Sequence, residues 1–324
     1  MEIIKRDGSR ADFEREKIEK AIAKAFYSVD SMISEEDLRK ISSKIEKTIK
    51  EKYPADHTVT VEEVQDLVEL TLIDENYYRE VKSFILYRAK HNMDRKVLGD
   101  FSKYINDKNI LNIITEVQTE FDNQRYPIES LFFKFESFLK VNMTEEDMLK
   151  AITRAASELT SKEAPDWEII AARFLMREIN YEIEKSEERY ELFDFKSKIE
   201  FLTEEGLYGS YILENYTGEE IDELEAYMDF SRDKIFTYSG LDLVRKRYLI
   251  TNHKGDILEK VQEMFMGIAM HLAIPEKNKI GFAKRLYDIL STLKATMATP
   301  TMTNARKPFN QLSSCFIDTV PDTL

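Results

Sequence analysis

The chain has 324 residues, room for about two domains at roughly 150 residues each and for a core that needs no disulfide or metal staple. Apolar residues make up 43% and charged residues 33%, the balance of a well-solvated globular protein rather than a membrane or disordered one. With 47 Lys+Arg against 61 Asp+Glu, the formal net charge of −14 argues against a nucleic-acid partner, which needs an excess of cations, although a local basic cluster can still hold a small anion.

One cysteine and four histidines rule out a disulfide framework and oppose a four-ligand zinc site, so no metal is expected on this chain. MEIIKRDGSR has no apolar leader core, and no window reaches 18 apolar residues. No membrane association is expected, and the compartment reads as cytoplasmic.

Nine glycines and seven prolines punctuate the sequence sparsely, and its apolar residues recur at 3.6-residue intervals, which predicts a mainly α fold. Ile3 and Ile4 before Asp7-Gly8, with Ala11 to Phe13 after, predict a short β-hairpin whose turn uses the Asp-Gly preference for positive φ. A helix starts near Glu14 and carries Ile18, Ala21, Ile22, Ala25 and Phe26 on one face. Ser34 to Asp37 and Thr60 to Glu63 are capping-box patterns. They open helices bearing Leu38, Ile41, Ile45 and Ile49, ended by Pro54, and Val64, Leu67 and Val68. A fourth helix with Val81, Phe84, Ile85 and Arg88 completes a hairpin-plus-four-helix module over residues 1–95.

Lys90 to Lys96, charged and poor in apolar residues, predict a linker or helix end before a helical domain over 96–295. Thr144 and Asp147 cap a helix with Met148, Ile152 and Ala155, and a partner runs from Asp166 through Ile179. This pair echoes Thr60 to Arg88, either as a degenerate repeat over 100–185 without the basic hairpin or as a chance likeness of two helical hairpins. Tyr248 to Thr251 and Asp256 to Glu259 predict a small hairpin. Two amphipathic helices follow, one with Ile257, Val261, Phe265, Ile268 and Leu272, the other with Ala283, Leu286, Leu290 and Leu293. Residues 296–324 are rich in Thr, Pro, Ser and Asn, and Phe316 and Ile317 predict the start of a strand. That strand has no partner in view, as though the sequence stopped inside a domain.

Lys5, Arg6 and Lys17 converge if the hairpin packs on the start of the first helix, whose N-terminus favours phosphate. These residues alone also describe a solvated basic hairpin. Taken whole, IIKRDGSRADFEREKIEKAIAKAF resembles the opening of an ATP-cone, the regulatory nucleotide-binding module of ribonucleotide reductases and related proteins, and the resemblance extends to about residue 93. It implies ATP or dATP as an allosteric effector at Lys5 and Arg6, along Ala11, Asp12, Phe13, Glu14, Arg15, Glu16 and Lys17, near Val61, and at Arg88 or Lys90. Lys5 and Lys17 would meet the phosphates, and the apolar residues between them would pack the adenine.

Cys315 is the only thiol, and a lone cysteine out of context is most often a small buried hydrophobe. Thr299-Pro300 and Gln311-Leu312-Ser313-Ser314-Cys315, with the spacing between them, resemble the entry to the catalytic barrel of the aerobic ribonucleotide reductase large subunit. Ser231-Arg232-Asp233-Lys234-Ile235-Phe236-Thr237-Tyr238, followed by Arg247-Tyr248-Leu249-Ile250, resembles the segment before that barrel. Alone, Arg232 and Asp233 describe an ordinary salt-bridged helix start.

The resemblance implies an ATP-cone, a helical domain and, over 296–324, the first strand of an incomplete ten-stranded α/β barrel. It implies a ribonucleoside-diphosphate reductase, in which a cysteine pair supplies two electrons to remove the ribose 2′-hydroxyl. Cys315 matches the first of that pair, and Thr299 and Ser314 match substrate contacts. The second thiol and the radical-initiating thiol have no counterpart in this sequence. The chain is therefore expected to be inactive alone, with the C-terminal remainder of the large subunit on a second chain. Further expected partners are a radical-generating small subunit carrying the metallocofactor and thioredoxin or glutaredoxin as reductant. The alternative is a stand-alone ATP-cone nucleotide sensor, although such repressors pair the cone with a zinc ribbon that one cysteine cannot build. A third reading is a helical scaffold that binds no ATP.

Overall fold

The computed structural model describes residues 2–5, 9–53 and 58–317, the side chains of 90, 91 and 93–95 excepted. The chain divides into two compact units at residues 96 and 97.

In the first unit, β1 (Glu2–Ile4) and β2 (Arg10–Asp12) pair antiparallel, with Ile3 opposite Ala11 and Ile4 opposite Arg10. The Lys5 N–H donates to the Ser9 carbonyl at 2.7 Å and closes the ends of the hairpin, whose Asp7-Gly8 turn lies outside the described residues. A third strand, β3 (Val59–Thr60), runs parallel to β1 and makes the sheet order β2-β1-β3. Two residues carry no readable alternation, so this strand is set by the unpaired edge of β1 rather than by local pattern.

The helices are α1 (Arg15–Tyr27), α2 (Glu35–Lys52), α3 (Val61–Asp74) and α4 (Tyr78–Phe101). Thr60 and Glu63 form the reciprocal capping box that starts α3, and the Ser34 hydroxyl accepts from the Asp37 N–H at 3.0 Å to start α2. Their apolar faces close one core around Ile22, Phe26, Ile45, Leu67, Val68 and Phe84. The linker or helix end expected at Lys90–Lys96 is instead continuous helix. No glycine or proline interrupts the sequence from Tyr78 to Leu98, and lysine, arginine and methionine are strong helix formers.

In the second unit, α5 (Lys108–Glu120), α6 (Ile128–Glu136) and α7 (Glu145–Glu158) surround one core. α9 (Phe195–Glu204), α10 (Tyr211–Asn215), α11 (Gly218–Glu225), α12 (Tyr238–Arg247), α13 (Val261–Ala273), α14 (Lys279–Ser291) and α15 (Thr299–Asn304) surround another. α8 (Trp167–Tyr190) serves both: Trp167, Ile170 and Phe174 enter the first core, and Leu175, Ile179 and Ile183 the second.

The hairpin expected around Asn252 is reduced to one antiparallel bridge, Thr251 with Ile257, closed by Gly255 at φ 88°. Ile257 thus belongs to this bridge and not to the helix expected to carry it. α13 begins at Val261, where the Lys260 N–H donates to Glu263 at 2.7 Å. α13 is not amphipathic either, because it is buried on every side from Val261 to Met270. Leu293, expected on the last long helix, lies past the end of α14 and is exposed. Phe316 and Ile317 form no strand, and both side chains are exposed.

Arg232 and Asp233, expected at a salt-bridged helix start, lie in a short 3-10 helix, and of the two only Arg232 is salt-bridged among the described residues. Phe230–Ile235 is a 3-10 turn, begun by Asp229, which accepts from the Ser231 N–H at 3.0 Å. Arg232 lies 4.9 Å from the Tyr287 ring centroid and pairs with Asp288 at 2.9 Å, while Asp233 accepts from Gln262 Nε2 at 2.7 Å. Burial, opposed by that hydrogen bond and assisted by nearby Asp229, pushes the Asp233 carboxyl up to about 6. The folded chain then holds this proton more tightly than the unfolded one, so stability falls as pH rises from about 4 to 6 and levels off above.

Charge is also buried beside α13. Glu259, just before it, accepts from Arg306 Nε and Nη2 at 2.6 Å each, from the Tyr208 hydroxyl at 2.8 Å and from the Ile250 N–H at 3.2 Å. Arg306 has no solvent exposure. A Cβ on Gly267 would stand 2.6 Å from the Tyr208 hydroxyl and 2.9 Å from Arg306 Cδ, so the helix surface must be bare there.

Arg306→Met strands Glu259 without a counter-ion and should cost about 3–5 kcal/mol, read as a lower urea midpoint, with partial recovery when Glu259→Gln is added. An unchanged midpoint for the single variant contradicts this account. Asp233→Asn removes the burial penalty and should stabilise the chain by about 2 kcal/mol at pH 7 while flattening the decline between pH 4 and 6. A parallel pH profile for variant and wild type would contradict it.

Candidate functional site

In the first unit, α1, α3 and α4 leave a cavity of about 180 Å³ against the sheet. Ile3, Phe13, Ile18, Val61, Val64 and Phe84 form its apolar wall, and Glu14, Lys17 and Gln65 are its polar members. β1 turns Ile3 toward it, the capping box places Val61 at the first turn of α3, and α1 enters directly after Phe13.

Four of the expected residues meet here: Phe13, Glu14, Lys17 and Val61. Lys17 Nζ donates to Glu14 Oε1 at 2.7 Å, and that hydrogen bond holds the Glu14 carboxyl below the usual range against a smaller opposing effect of desolvation. Lys20 and Lys5 act on the same carboxylate through space, so Lys5 belongs to this electrostatic cluster without lining the wall.

The other expected residues are placed elsewhere. Ala11 and Asp12 lie in β2, and Glu16 is exposed on α1. Arg15 is drawn to α2, donating to Glu46 at 2.6 Å and to Ser43 at 3.3 Å. Arg88 is held by α3, where it pairs with Asp66 and, at 2.9 Å, with Glu69. Arg6 and the Lys90 side chain lie outside the described residues. Ile18, Val64 and Phe84 read as core residues in the sequence, and no expectation attaches to Gln65, although a polar residue within the stripe Val61, Val64, Val68 is a signal consistent with an unfilled face.

In the second unit, Thr299 opens α15, its hydroxyl 3.4 Å from that of Tyr248. Arg306 donates to the carbonyls of Met302 and Tyr248 at 2.8 and 2.7 Å, fixing α15 to the end of α12. The Thr301 hydroxyl donates to the Leu312 carbonyl at 3.2 Å and Asn304 Nδ2 to the Gln311 carbonyl at 2.9 Å, folding the following segment back on α15. Cys315 is exposed, with the Ser314 hydroxyl 3.7 Å from its sulfur. Among the described residues no hydrogen bond joins Thr299 to Ser314 or Cys315.

A larger cleft of about 530 Å³, bordered by α5, α8 and the 3-10 turn, holds none of the expected site residues. Its cations are paired, Lys234 with Glu116 at 2.8 Å, Arg177 with Asp107 at 2.7 Å, Arg173 with Glu120 at 2.6 Å and Lys260 with Glu187 at 2.7 Å, although Arg173 Nε and Nη1 are buried without a hydrogen-bond partner. Among the described residues no helix is long and apolar enough to cross a membrane, and no group of three or more His, Cys, Asp or Glu side chains is placed to hold a metal.

Residues 1–93 match the family model of the ATP cone domain, and residues 234–310 match that of the ribonucleotide reductase all-alpha domain. The ribonucleoside-diphosphate reductase subunit alpha of Treponema pallidum is 43% identical, with 100% of this chain and 39% of the relative aligned. The corresponding subunit 1 alpha of Escherichia coli K12 is 32% identical over 55% of this chain and 23% of the relative. That of Chlamydia trachomatis serovar D is 29% identical over 100% of this chain and 33% of the relative. The chain thus spans about two fifths or less of the length of these relatives. Two separate domain matches and full-length similarity place the chain in the family of ribonucleotide reductase large subunits.

Proposed function

We propose that the first unit binds ATP or dATP as an effector, and that the second presents Cys315 to a ribonucleotide in an assembled ribonucleoside-diphosphate reductase. The observation that supports the first part most is the apolar cavity with the Lys17 ammonium at its edge. About 180 Å³ is less than the roughly 300–1,000 Å³ of pockets that enclose a whole small ligand. It suits a flat adenine against Phe13, Val61 and Phe84. Ribose and phosphates then lie outside, at the N-terminus of α1, where backbone N–H groups, Lys17 and Lys5 favour negative charge. Control requires the two effectors to favour different quaternary arrangements, since equal affinity for both arrangements shifts nothing.

In the reduction, two thiols give up two electrons and two protons: one proton leaves with the 2′-hydroxyl as water, the two electrons and the other proton form the new C–H bond at the 2′ carbon, and the sulfurs end as a disulfide. Cys315 is one of those thiols, and the Thr299 and Ser314 hydroxyls hold ribose or phosphate oxygens. With one cysteine in this sequence, the second thiol and the radical-initiating thiol come from the remainder of the large subunit. A metallocofactor-bearing small subunit starts the radical, and a dithiol protein of the thioredoxin or glutaredoxin kind resets the disulfide. The stand-alone sensor is disfavoured by the all-alpha domain match at 234–310, outside the cone.

Lys5→Ala with Lys17→Ala removes two charge-assisted contacts and should weaken ATP binding at least about 10-fold with helicity intact, by equilibrium binding and circular dichroism. Unchanged affinity would refute the phosphate cradle. Cys315→Ser in the assembled enzyme should abolish multiple turnover with a dithiol reductant and leave ATP binding unaltered. Normal steady-state activity would show that the sulfur is structural.

A further inference from the structure

We infer that Glu14 is an internal stand-in for the effector's phosphates: its carboxylate occupies the Lys17 ammonium at the cavity edge and must be displaced when a nucleotide binds. The inference rests on the cavity being the nucleotide site and adds what regulates its affinity.

Glu14 is the N-cap residue of α1, yet its side chain makes no capping bond. The N-cap side chains of α2, α3 and α7 (Ser34, Thr60 and Thr144) each accept from the N–H three residues on. The Glu14 carboxylate instead bonds the Lys17 ammonium at 2.7 Å, beside the cavity that both residues line. Lys17 and Lys20 stand three residues apart on one helix and Lys5 follows β1, yet all three act on this one carboxylate. An ammonium at the edge of an apolar cavity, with two further lysines near enough to act on the same carboxylate, favours an anion of higher charge than one carboxylate.

The present occupant is displaceable. Glu14 and Lys17 keep 48% and 65% of their side-chain surface exposed, and exposed pairs at this spacing contribute little. A polyphosphate carries several negative charges and binds the same cluster more strongly, but each binding event must break the Lys17–Glu14 bond and leave a carboxylate beside the phosphates. Glu14 therefore lowers affinity.

The test uses the full chain and equilibrium binding of ATP and of adenosine. Glu14→Gln should tighten ATP binding about 3- to 10-fold at low salt, with a smaller gain at 0.5 M salt, where screening weakens exposed charges. Adenosine, which has no phosphates, should bind both forms alike. In a Lys17→Ala background the Glu14→Gln gain should shrink, and Lys20→Ala should weaken ATP binding several-fold with helicity retained. ATP binding to wild type with equal or weaker binding to Glu14→Gln overturns the inference while leaving the nucleotide site standing. A gain for adenosine equal to that for ATP also overturns it. Wild type that binds no ATP defeats the underlying reading instead.

Discussion

Arg306 sits with no solvent exposure between segments far apart in sequence, and its guanidinium spends its donors on all of them: the Glu259 carboxylate before α13, the Tyr248 carbonyl after α12 and the Met302 carbonyl within α15. Burying such a pair gains little net stability, because desolvation offsets most of the attraction and apolar groups of equal volume hold a core as well. What the pair supplies is position. It fixes α15 at one place along α13, Gly267 provides the bare surface that lets Tyr208 and Arg306 approach, and the bonds of Thr301 and Asn304 then return the chain toward Cys315. Ser314 and Cys315, proposed to meet the ribonucleotide, thus lie on an exposed segment that follows a base held by buried hydrogen bonds.

The first unit solves a different problem. Its core must close around Ile22, Ile45 and Leu67 and yet stop short at one edge, so that apolar side chains face an unfilled space. The short sheet makes this possible, because β1 carries Ile3 to the wall. An apolar floor with a cationic edge is the pattern a base with attached phosphates requires. Glu14 keeps that edge electrostatically satisfied when no phosphate is there.

Helices were readable wherever a cap and an apolar stripe coincided, as at Ser34, Thr60 and Thr144, because both signals lie within a few residues of sequence. Features that depend on distant partners were not. β3 exists through the edge of β1, and α13 is buried by neighbours on every side and so lost its expected polar face. At the cavity, Phe13, Glu14, Lys17 and Val61 were legible through resemblance. The diversion of Arg15 to Glu46 and of Arg88 to Asp66 and Glu69 was not, since it depends on which acidic side chain each arginine meets once the helices pack.

The central claim is that the adenine of a nucleotide enters the cavity between α1, α3 and α4 while its phosphates stay on the rim. Photolabelling the full chain with an azido-adenine analogue of ATP, followed by peptide mapping, addresses it directly. The account requires label on the peptides carrying Phe13 to Ile18 or Val61 to Val68, suppressed by excess ATP. Label confined to the second unit, or label that excess ATP leaves undiminished, would contradict it.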